Sequence, residues 1–163
     1  KGTRAETSVE IIGDTYTEHA VVEECEDVGA MHLVAHSTMS GVCIFFDADV
    51  DVDDDKCNAA AAFAGVLVWL CRKTQLPLSR VNIYCDVAGA RVAFNRDGAL
   101  FFNLRYFSQV HARTVAATGA TVIKDVAKCR AWWFVTLCHE LGHNHERGHN
   151  HEHETAMEGA IAR

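Results

Sequence analysis

The chain has 163 residues, of which 49% are hydrophobic and 23% are charged, with a formal net charge of -7. These values are typical of a globular protein and exclude fibrous and disordered classes. The acidic balance also argues against a nucleic-acid partner, because binding to phosphates requires a basic surface. We therefore expect residues 1–163 to form a single domain, with a frayed start over residues 1–10.

Seven cysteines are spread along the chain without a CxxC pair. An odd number without the spacing of a disulfide framework indicates reduced thiols, and so predicts an intracellular protein. The longest apolar run, residues 59–71, is shorter than the roughly 20 residues that cross a bilayer, so no membrane span is expected. The sequence begins at Lys1 without a Met or a signal peptide, which is consistent with a piece of a longer polypeptide.

The first half of the chain predicts strands followed by a buried helix. Residues 31–36 and 42–46 flank a loop that contains Gly41, which predicts a β-hairpin. The acidic run that follows ends in residues suited to cap a helix. Residues 58–75 are apolar on almost every side, which predicts a helix buried in the core.

Three further runs predict a small antiparallel meander. Asp97-Gly98 between the last two runs is a strong hairpin signal. We expect residues 99–104 to be an edge strand, along which an extended peptide could add to the sheet. Residues 105–121 are predicted to form a loop. In chain order, the three runs are residues 81–85, 91–94 and 99–104.

The last part of the chain predicts two more helices. Apolar residues recur at helical spacing over residues 123–145, and a short helix runs from Asn150 to the end. The complete pattern predicts an α+β fold. It consists of a small, mainly antiparallel sheet packed against two long helices, with a short C-terminal helix.

Residues 139–143 read His-Glu-Leu-Gly-His and form the segment whose side chains are suited to metal binding and catalysis. Because residues four apart lie on the same face of a helix, His139 and His143 present two imidazoles to one point. That arrangement suits a tetrahedral zinc ion. Glu140 lies next to the first ligand, so its carboxylate can reach a water at the metal without replacing it. We predict that Glu140 is the catalytic base.

A third metal ligand must come from the residues after the helix. His149 lies ten positions after His139, and this HExxHxxxxxH pattern is similar to the spacing in the metzincin peptidases. The alternatives that the sequence leaves open, as the third ligand or as an extra one, are His153, Glu154 and Glu158. The other histidines are predicted to be surface or structural residues: His19, His32, His36, His111, His145 and His151.

Two segments resemble a region near the C-terminus of large fungal, plant and algal proteins that carry an Hsp90-like (sacsin-type) ATPase domain. The first segment is residues 94–107. The second, over residues 139–153, reads His-Glu-x-x-His-Asn, four residues, His-Asn, two residues, His. The likeness covers about residues 80–158. The region it resembles is a zincin-like HExxH region without an assigned substrate, so the resemblance implies a minimal zincin-like fold and a zinc site rather than a particular reaction.

The sequence therefore predicts a zinc-dependent peptidase that hydrolyses peptide or protein substrates with a water activated by Glu140. Tyr106 is a candidate for stabilising the oxyanion. Two alternatives stay open: a structural zinc module within a larger protein, and a zinc hydrolase that acts on a non-peptide bond. Four protein ligands would indicate a structural site, whereas three ligands and a water would indicate a catalytic one.

Overall fold

The chain is α+β, as the sequence predicts, with helices on one face of a mixed sheet. The structure is a computed structural model. It describes residues 5–11, 18–22, 33–36, 40–47, 49–86, 88–145 and 148–162, with side chains from residue 40 onward.

The described residues contain nine strands. Residues 5–10, for which the sequence predicts a frayed start, lie in the first strand. The bounds are β1 (Ala5–Ile11), β2 (Glu18–Val22), β3 (Leu33–His36), β4 (Cys43–Asp47), β5 (Val81–Cys85), β6 (Ala93–Arg96), β7 (Ala99–Asn103), β8 (Ala112–Thr114) and β9 (Thr121–Ile123). Strands β1 to β7 form one sheet in the order β2-β1-β3-β4-β5-β7-β6, and β8 pairs with β9.

Four α-helices accompany these strands in the described part of the chain. None of these helices combines the length and the apolar character that crossing a membrane requires. Their bounds are α1 (Asp54–Thr74), α2 (Leu104–Tyr106), α3 (Val126–Gly142) and α4 (His151–Ile161). Helices α1 and α3 lie over the segments where the sequence predicts helices, and α4 matches the predicted short C-terminal helix.

The large sheet is mixed, so the prediction of a mainly antiparallel sheet is wrong. Three pairings are parallel, namely β1 with β3, β4 with β5, and β5 with β7. Strands β4 and β5 are parallel because α1 carries the chain back between them. The predicted hairpin is confirmed, since β3 and β4 are antiparallel with Val34 opposite Phe46.

The predicted meander of β5, β6 and β7 is correct only in its second turn. Asp97 and Gly98 have φ angles of 49° and 86°, and they join β6 to β7 in the antiparallel hairpin that the sequence predicts. Strand β5, however, pairs with β7 and not with β6. The sheet therefore ends at β6, and β7, the predicted edge strand, lies inside the sheet.

A buried polar network explains why β6 is displaced to the edge. Asn103, at the end of β7, donates from its amide to Asp86 Oδ1 at 3.1 Å and to the carbonyl of Arg91 at 2.8 Å. Arg105 Nε lies 3.0 Å from the same Asp86 carboxylate. These bonds hold the connection after β5 against the end of β7. The chain therefore passes that end before it begins β6 on the far side.

Helices α1 and α3 meet in an aromatic core on one face of the sheet. Phe63 of α1 lies 4.5 Å from Trp133 of α3, measured between ring centroids, and it stacks on Phe107 at the same distance. Phe102 of β7 contacts the edge of Trp133. The burial of Phe107 explains why the loop predicted over residues 105–121 is wrong in part: α2 continues there as a π-helical turn and is followed by β8.

Six cysteines lie among the described side chains, and all six are free. Cys43 and Cys57 are exposed. The other four are buried, and burial raises the pKa of each of their thiols: Cys71, Cys85, Cys129 and Cys138. A buried thiol with a raised pKa is poorly reactive, so these four side chains act as small apolar residues of the core.

Candidate metal centre

The end of α3 presents the predicted histidine pair. Asp125 caps the start of this helix by accepting a hydrogen bond from the backbone N of Lys128 at 3.0 Å. His143 follows the last residue of the helix but keeps helical angles, with φ -66° and ψ -11°. His139 and His143 therefore stay on one face, with ring centroids 5.0 Å apart.

Helix α4 brings two more histidines back to this point. Asn150 caps α4, because its Oδ1 accepts hydrogen bonds from the backbone N of Glu152 at 3.0 Å and of His153 at 3.1 Å. His149 precedes the cap and His153 lies in the first turn. The cap thus sets the direction in which both imidazoles leave the backbone.

Four histidines converge into one cluster: His139, His143, His149 and His153. One ring nitrogen from each lies within 4.8 Å of the others. The ring centroids of every pair are between 4.3 and 5.2 Å apart. The sequence predicts His149 as the third ligand and His153 as an alternative or extra one, and the structure brings both to the cluster.

The geometry and chemistry of the cluster suit a metal ion. In a tetrahedral zinc site with zinc–nitrogen distances of about 2.0–2.1 Å, neighbouring nitrogens are about 3.3–3.4 Å apart. The Nε2 atoms of His139 and His149 are 3.1 Å apart. Burial, followed by the neighbouring imidazoles, lowers the pKa of His139 to about 4. The ring is therefore neutral at pH 7, which is the form that binds a metal.

His153 is the most buried member of the cluster, with 2% of its surface exposed. Its Nε2 lies 3.1 Å from the carbonyl oxygen of His139. Because a carbonyl can only accept, Nε2 must carry the proton, and Nδ1 is left with the lone pair that a metal needs. Gly142 allows this close approach, since a Cβ atom built on it would lie 2.9 Å from His153 Nε2.

Glu140 is buried beside the cluster without being part of it, with 5% of its surface exposed. Burial raises the pKa of its carboxyl group to about 7, and the positive charge of Arg91 opposes the shift. Arg91 belongs to the connection before β6, and the polar network at the end of β7 holds its backbone carbonyl.

Asn95 of β6 is a site residue that the sequence did not reveal. Its Nδ2 donates to the carbonyl of Glu140 at 2.6 Å and to Asn144 Oδ1 at 3.0 Å. The last carbonyls of a helix have no partner within the helix. Asn95 from β6 satisfies one of these groups on α3, and His153 from α4 satisfies another. No local pattern identifies such a residue, because its partner is 45 positions away.

A cavity of about 1090 Å³ opens next to the cluster along α3. His139 and Glu140 lie on its wall, together with Val92 and Ala93 at the start of β6 and Met157 of α4. Most of the lining surface is apolar, with Val110, Trp132 and Val135 among the contributing side chains, and polar residues also line the cavity: His111, Lys124, Asp125, Lys128 and Thr136. His139 of the cluster and Glu140 therefore border the same space.

The remaining predicted site residues lie elsewhere. Glu154 and Glu158, predicted as alternative ligands, are exposed on α4 and outside the cluster. His145 and His151 are exposed, as predicted. Tyr106 donates its hydroxyl to the carbonyl of Ala90 at 2.8 Å and is not among the residues that line the cavity, so the structure does not bring this predicted oxyanion residue to the cluster.

Comparisons with known protein families, with curated proteins and with solved structures find no match to this chain. Any functional conclusion must therefore rest on the cluster, the carboxylate and the cavity.

Proposed function

We propose that this chain is an intracellular zinc-dependent peptidase with a minimal zincin-like architecture. The observation that carries the proposal is the position of Glu140: a buried carboxyl group beside a metal ligand, outside the ligand cluster, and on the wall of a cavity shared with His139. A purely structural metal site requires neither a buried carboxylate nor an adjacent cavity.

Zinc is the metal that the donor set supports best. The four candidate ligands are imidazoles whose ring nitrogens lie within 4.8 Å of one another, and zinc is commonly bound by imidazole in tetrahedral sites. A zinc ion held there would supply a Lewis acid that polarises a carbonyl oxygen and lowers the pKa of bound water to about 7.

Glu140 performs the proton transfers of the proposed reaction. One of its carboxylate oxygens accepts a proton from the attacking water, whose oxygen forms a bond to the peptide carbonyl carbon. The carbon–nitrogen bond then breaks, and Glu140 returns the proton to the leaving amine nitrogen. The hydrogen bond from Asn95 to the carbonyl of Glu140 holds this turn of α3 in place during both steps.

The substrate that fits is an extended peptide or protein segment. Strand β6 is the edge of the sheet, and an edge strand has backbone groups free to pair with an added strand. Val92, just before β6, and Ala93, its first residue, line the cavity, so a peptide added along β6 would pass Glu140 and direct side chains into the cavity. Here β6 takes the role that the sequence assigned to residues 99–104.

We also propose that the chain corresponds to the C-terminal region of a larger protein with an Hsp90-like (sacsin-type) ATPase domain. Support comes from the two motifs, residues 94–107 and 139–153, in the expected order. Sequencing the transcript that encodes this chain tests the proposal. The reading frame should continue upstream into an ATPase domain, and a frame without one would refute the relationship.

A structural zinc module is the second candidate, and the four-histidine cluster favours it. If all four imidazoles bind zinc at the same time, no coordination position is left for a water or a substrate. The two candidates differ in what Glu140 does, because only the peptidase requires a base.

The decisive experiment is the substitution Glu140→Gln, which removes the proton acceptor and nearly conserves shape. We expect zinc content near one per chain and a rate of peptide cleavage about 10²–10⁴-fold below wild type. The matched control is Glu158→Gln, an exposed glutamate of α4 outside the cluster, which should cleave as wild type does.

The rate is measured on a peptide library and, in parallel, on ester substrates. Cleavage of esters alone would assign a zinc hydrolase of non-peptide bonds. A Glu140→Gln variant as fast as wild type would remove Glu140 from the mechanism. If neither wild type nor His153→Ala cleaves any substrate, although both hold zinc, the structural module is the correct function.

A further inference from the structure

We propose that His153 is a fourth, displaceable metal ligand, and that α4 is therefore a lid whose docking is anchored by the metal. With α4 docked, His153 occupies the coordination position that a substrate needs. With α4 undocked, that position opens. The inference rests on the zinc site of the proposed function, but not on the hydrolytic reaction.

The packing of α4 shows how strongly it depends on this one side chain. The helix has 11 residues, and His153 is the only buried one among them. Ala156, Met157 and Ala160 are half-buried, and the other residues are exposed. A helix shorter than about 12–15 residues is marginal in water without packing, so α4 depends on its contacts with α3, and the contact of His153 is the most buried of these.

The contacts of His153 fix the orientation of its imidazole ring beside the other three candidate ligands. Its Nε2 donates to the carbonyl of His139, which leaves Nδ1 for a metal. The ring packs on Gly142, the position of α3 that lacks a side chain. A buried imidazole held in this orientation, within 4.8 Å of three other candidate ligand nitrogens, is arranged for coordination.

The lid also contributes to the wall of the cavity. Met157 lies one helical turn after His153, on the same face of α4, and lines the cavity that Glu140 borders. Undocking α4 would remove the fourth ligand and one wall of the cavity together. Access of a substrate to the metal and to the apolar space is therefore coupled to the position of one short helix.

Two variants test the lid in different ways. His153→Ala removes the imidazole. Gly142→Ala keeps every ligand but places a Cβ atom 2.9 Å from His153 Nε2, which is too close for the ring to keep its position, so the ring must move away. The second variant keeps the proposal testable if the first folds poorly, since alanine favours the helix more than glycine does. His151→Ala is the control, because His151 lies on α4 but is exposed and outside the cluster.

The first readout is cobalt absorption of the Co²⁺-substituted protein during titration with acetohydroxamate, which binds only where a coordination position is open. We expect His153→Ala and Gly142→Ala to bind it at least about tenfold more tightly than wild type and His151→Ala do. The second readout is backbone hydrogen exchange in α4, which should accelerate at least about tenfold when zinc is removed from wild type.

Equal acetohydroxamate affinity in all four proteins would overturn the proposal, as would exchange in α4 that does not respond to zinc. Loss of zinc from both variants would also overturn it, because three imidazoles must hold the ion when the lid is open. These readouts involve no substrate. A failed lid therefore leaves the role of Glu140 untouched, and a failed peptidase leaves the lid testable.

Discussion

Burial moves the pKa values of two adjacent side chains at the end of α3 in opposite directions. It lowers the pKa of His139 to about 4 and raises that of Glu140 to about 7. The cause is the same in both, since burial penalises whichever form is charged. The motif identifies both residues from the sequence, but their burial depends on β6 and α4, which only the folded chain brings to them.

His111 provides a residue-scale test of the same principle away from the cluster. It is 7% exposed, and its Nε2 has no hydrogen-bond partner among the described residues. Burial, and to a lesser degree the charge of Lys124, lowers its pKa. The folded chain therefore holds a neutral His111, while the unfolded chain binds a proton below about pH 6.5. Stability should fall as the pH decreases from that value towards the folded pKa.

The measurement is the free energy of unfolding of metal-free protein at pH 7.5 and at pH 5.5. Wild type should lose more stability over this range than His111→Phe, which keeps an aromatic ring against Trp132 but cannot titrate. The exposed His151 offers the control, since His151→Phe should keep the wild-type pH dependence. Parallel pH profiles for wild type and His111→Phe would show that His111 does not titrate differently in the fold.

At the scale of elements, the contact between β6 and α3 depends on Asn95. Asn95→Asp keeps the oxygen that accepts from the backbone N of Gly98, but it replaces the amide that donates to the carbonyl of Glu140. A carboxylate would then face two acceptor oxygens. We expect a loss of about 1–3 kcal/mol in the free energy of unfolding, because a buried acceptor is left without its donor.

Asn58→Asp is the matched control for this substitution. Asn58 also donates from its amide to a backbone carbonyl, that of Gly119, but in an exposed position. Its replacement should change stability by no more than about 0.5 kcal/mol. Equal losses of unfolding free energy in the two variants, measured by denaturant unfolding, would contradict this prediction. The hydrogen bond between β6 and α3 would then contribute no more to stability than an exposed one does.

The elements that the sequence predicts well are those set by local chemistry. Helix α1 is capped by Asp53, whose side chain accepts from the backbone N of Lys56 at 2.7 Å, so the acidic run does supply the cap. The turn at Asp97 and Gly98 is equally local. The pairing of β5 with β7 is not, because it depends on the network around Asp86 and Asn103, which are 17 positions apart.

At the scale of the whole molecule, zinc should stabilise the fold because its ligands would link the end of α3 to α4. The four candidate ligands come from α3, from the turn before α4, and from α4 itself. At free zinc of 100 times the dissociation constant, binding adds about 2.7 kcal/mol, or a rise in melting temperature of about 5–11 °C. Calorimetry with and without a chelator measures this shift.

His139→Ala should abolish the zinc-dependent part of the melting temperature, since His139 contacts all three other rings of the cluster. His145→Ala, which changes an exposed histidine outside the cluster, should keep it. A melting temperature that does not respond to zinc in wild type would refute the metal site itself.

The composition of the whole site was only partly predictable. The spacing of His139 and His143 is a property of one helix, so the sequence alone identifies this pair. His149 and His153 follow after a reversal of the chain, and a spacing argument could only rank them as alternatives. The cap at Asn150 and the missing side chain of Gly142 allow both histidines to reach the cluster. Both effects depend on the three-dimensional arrangement of the chain, which residue spacing does not reveal.

The absence of sulfur from the four-histidine cluster has a consequence for how this protein would respond to stress. Sites that hold zinc through thiolates release it when peroxide oxidises the sulfur. Here every candidate donor is an imidazole nitrogen, and the adjacent Cys138 is buried with a raised pKa. Peroxide should therefore leave the zinc in place, whereas acid should release it, because protons compete with the metal for the ligand nitrogens. Zinc release followed with a colorimetric chelator during peroxide treatment, and again during acidification to about pH 4, the pKa of His139, would show whether acidification rather than oxidation empties the site.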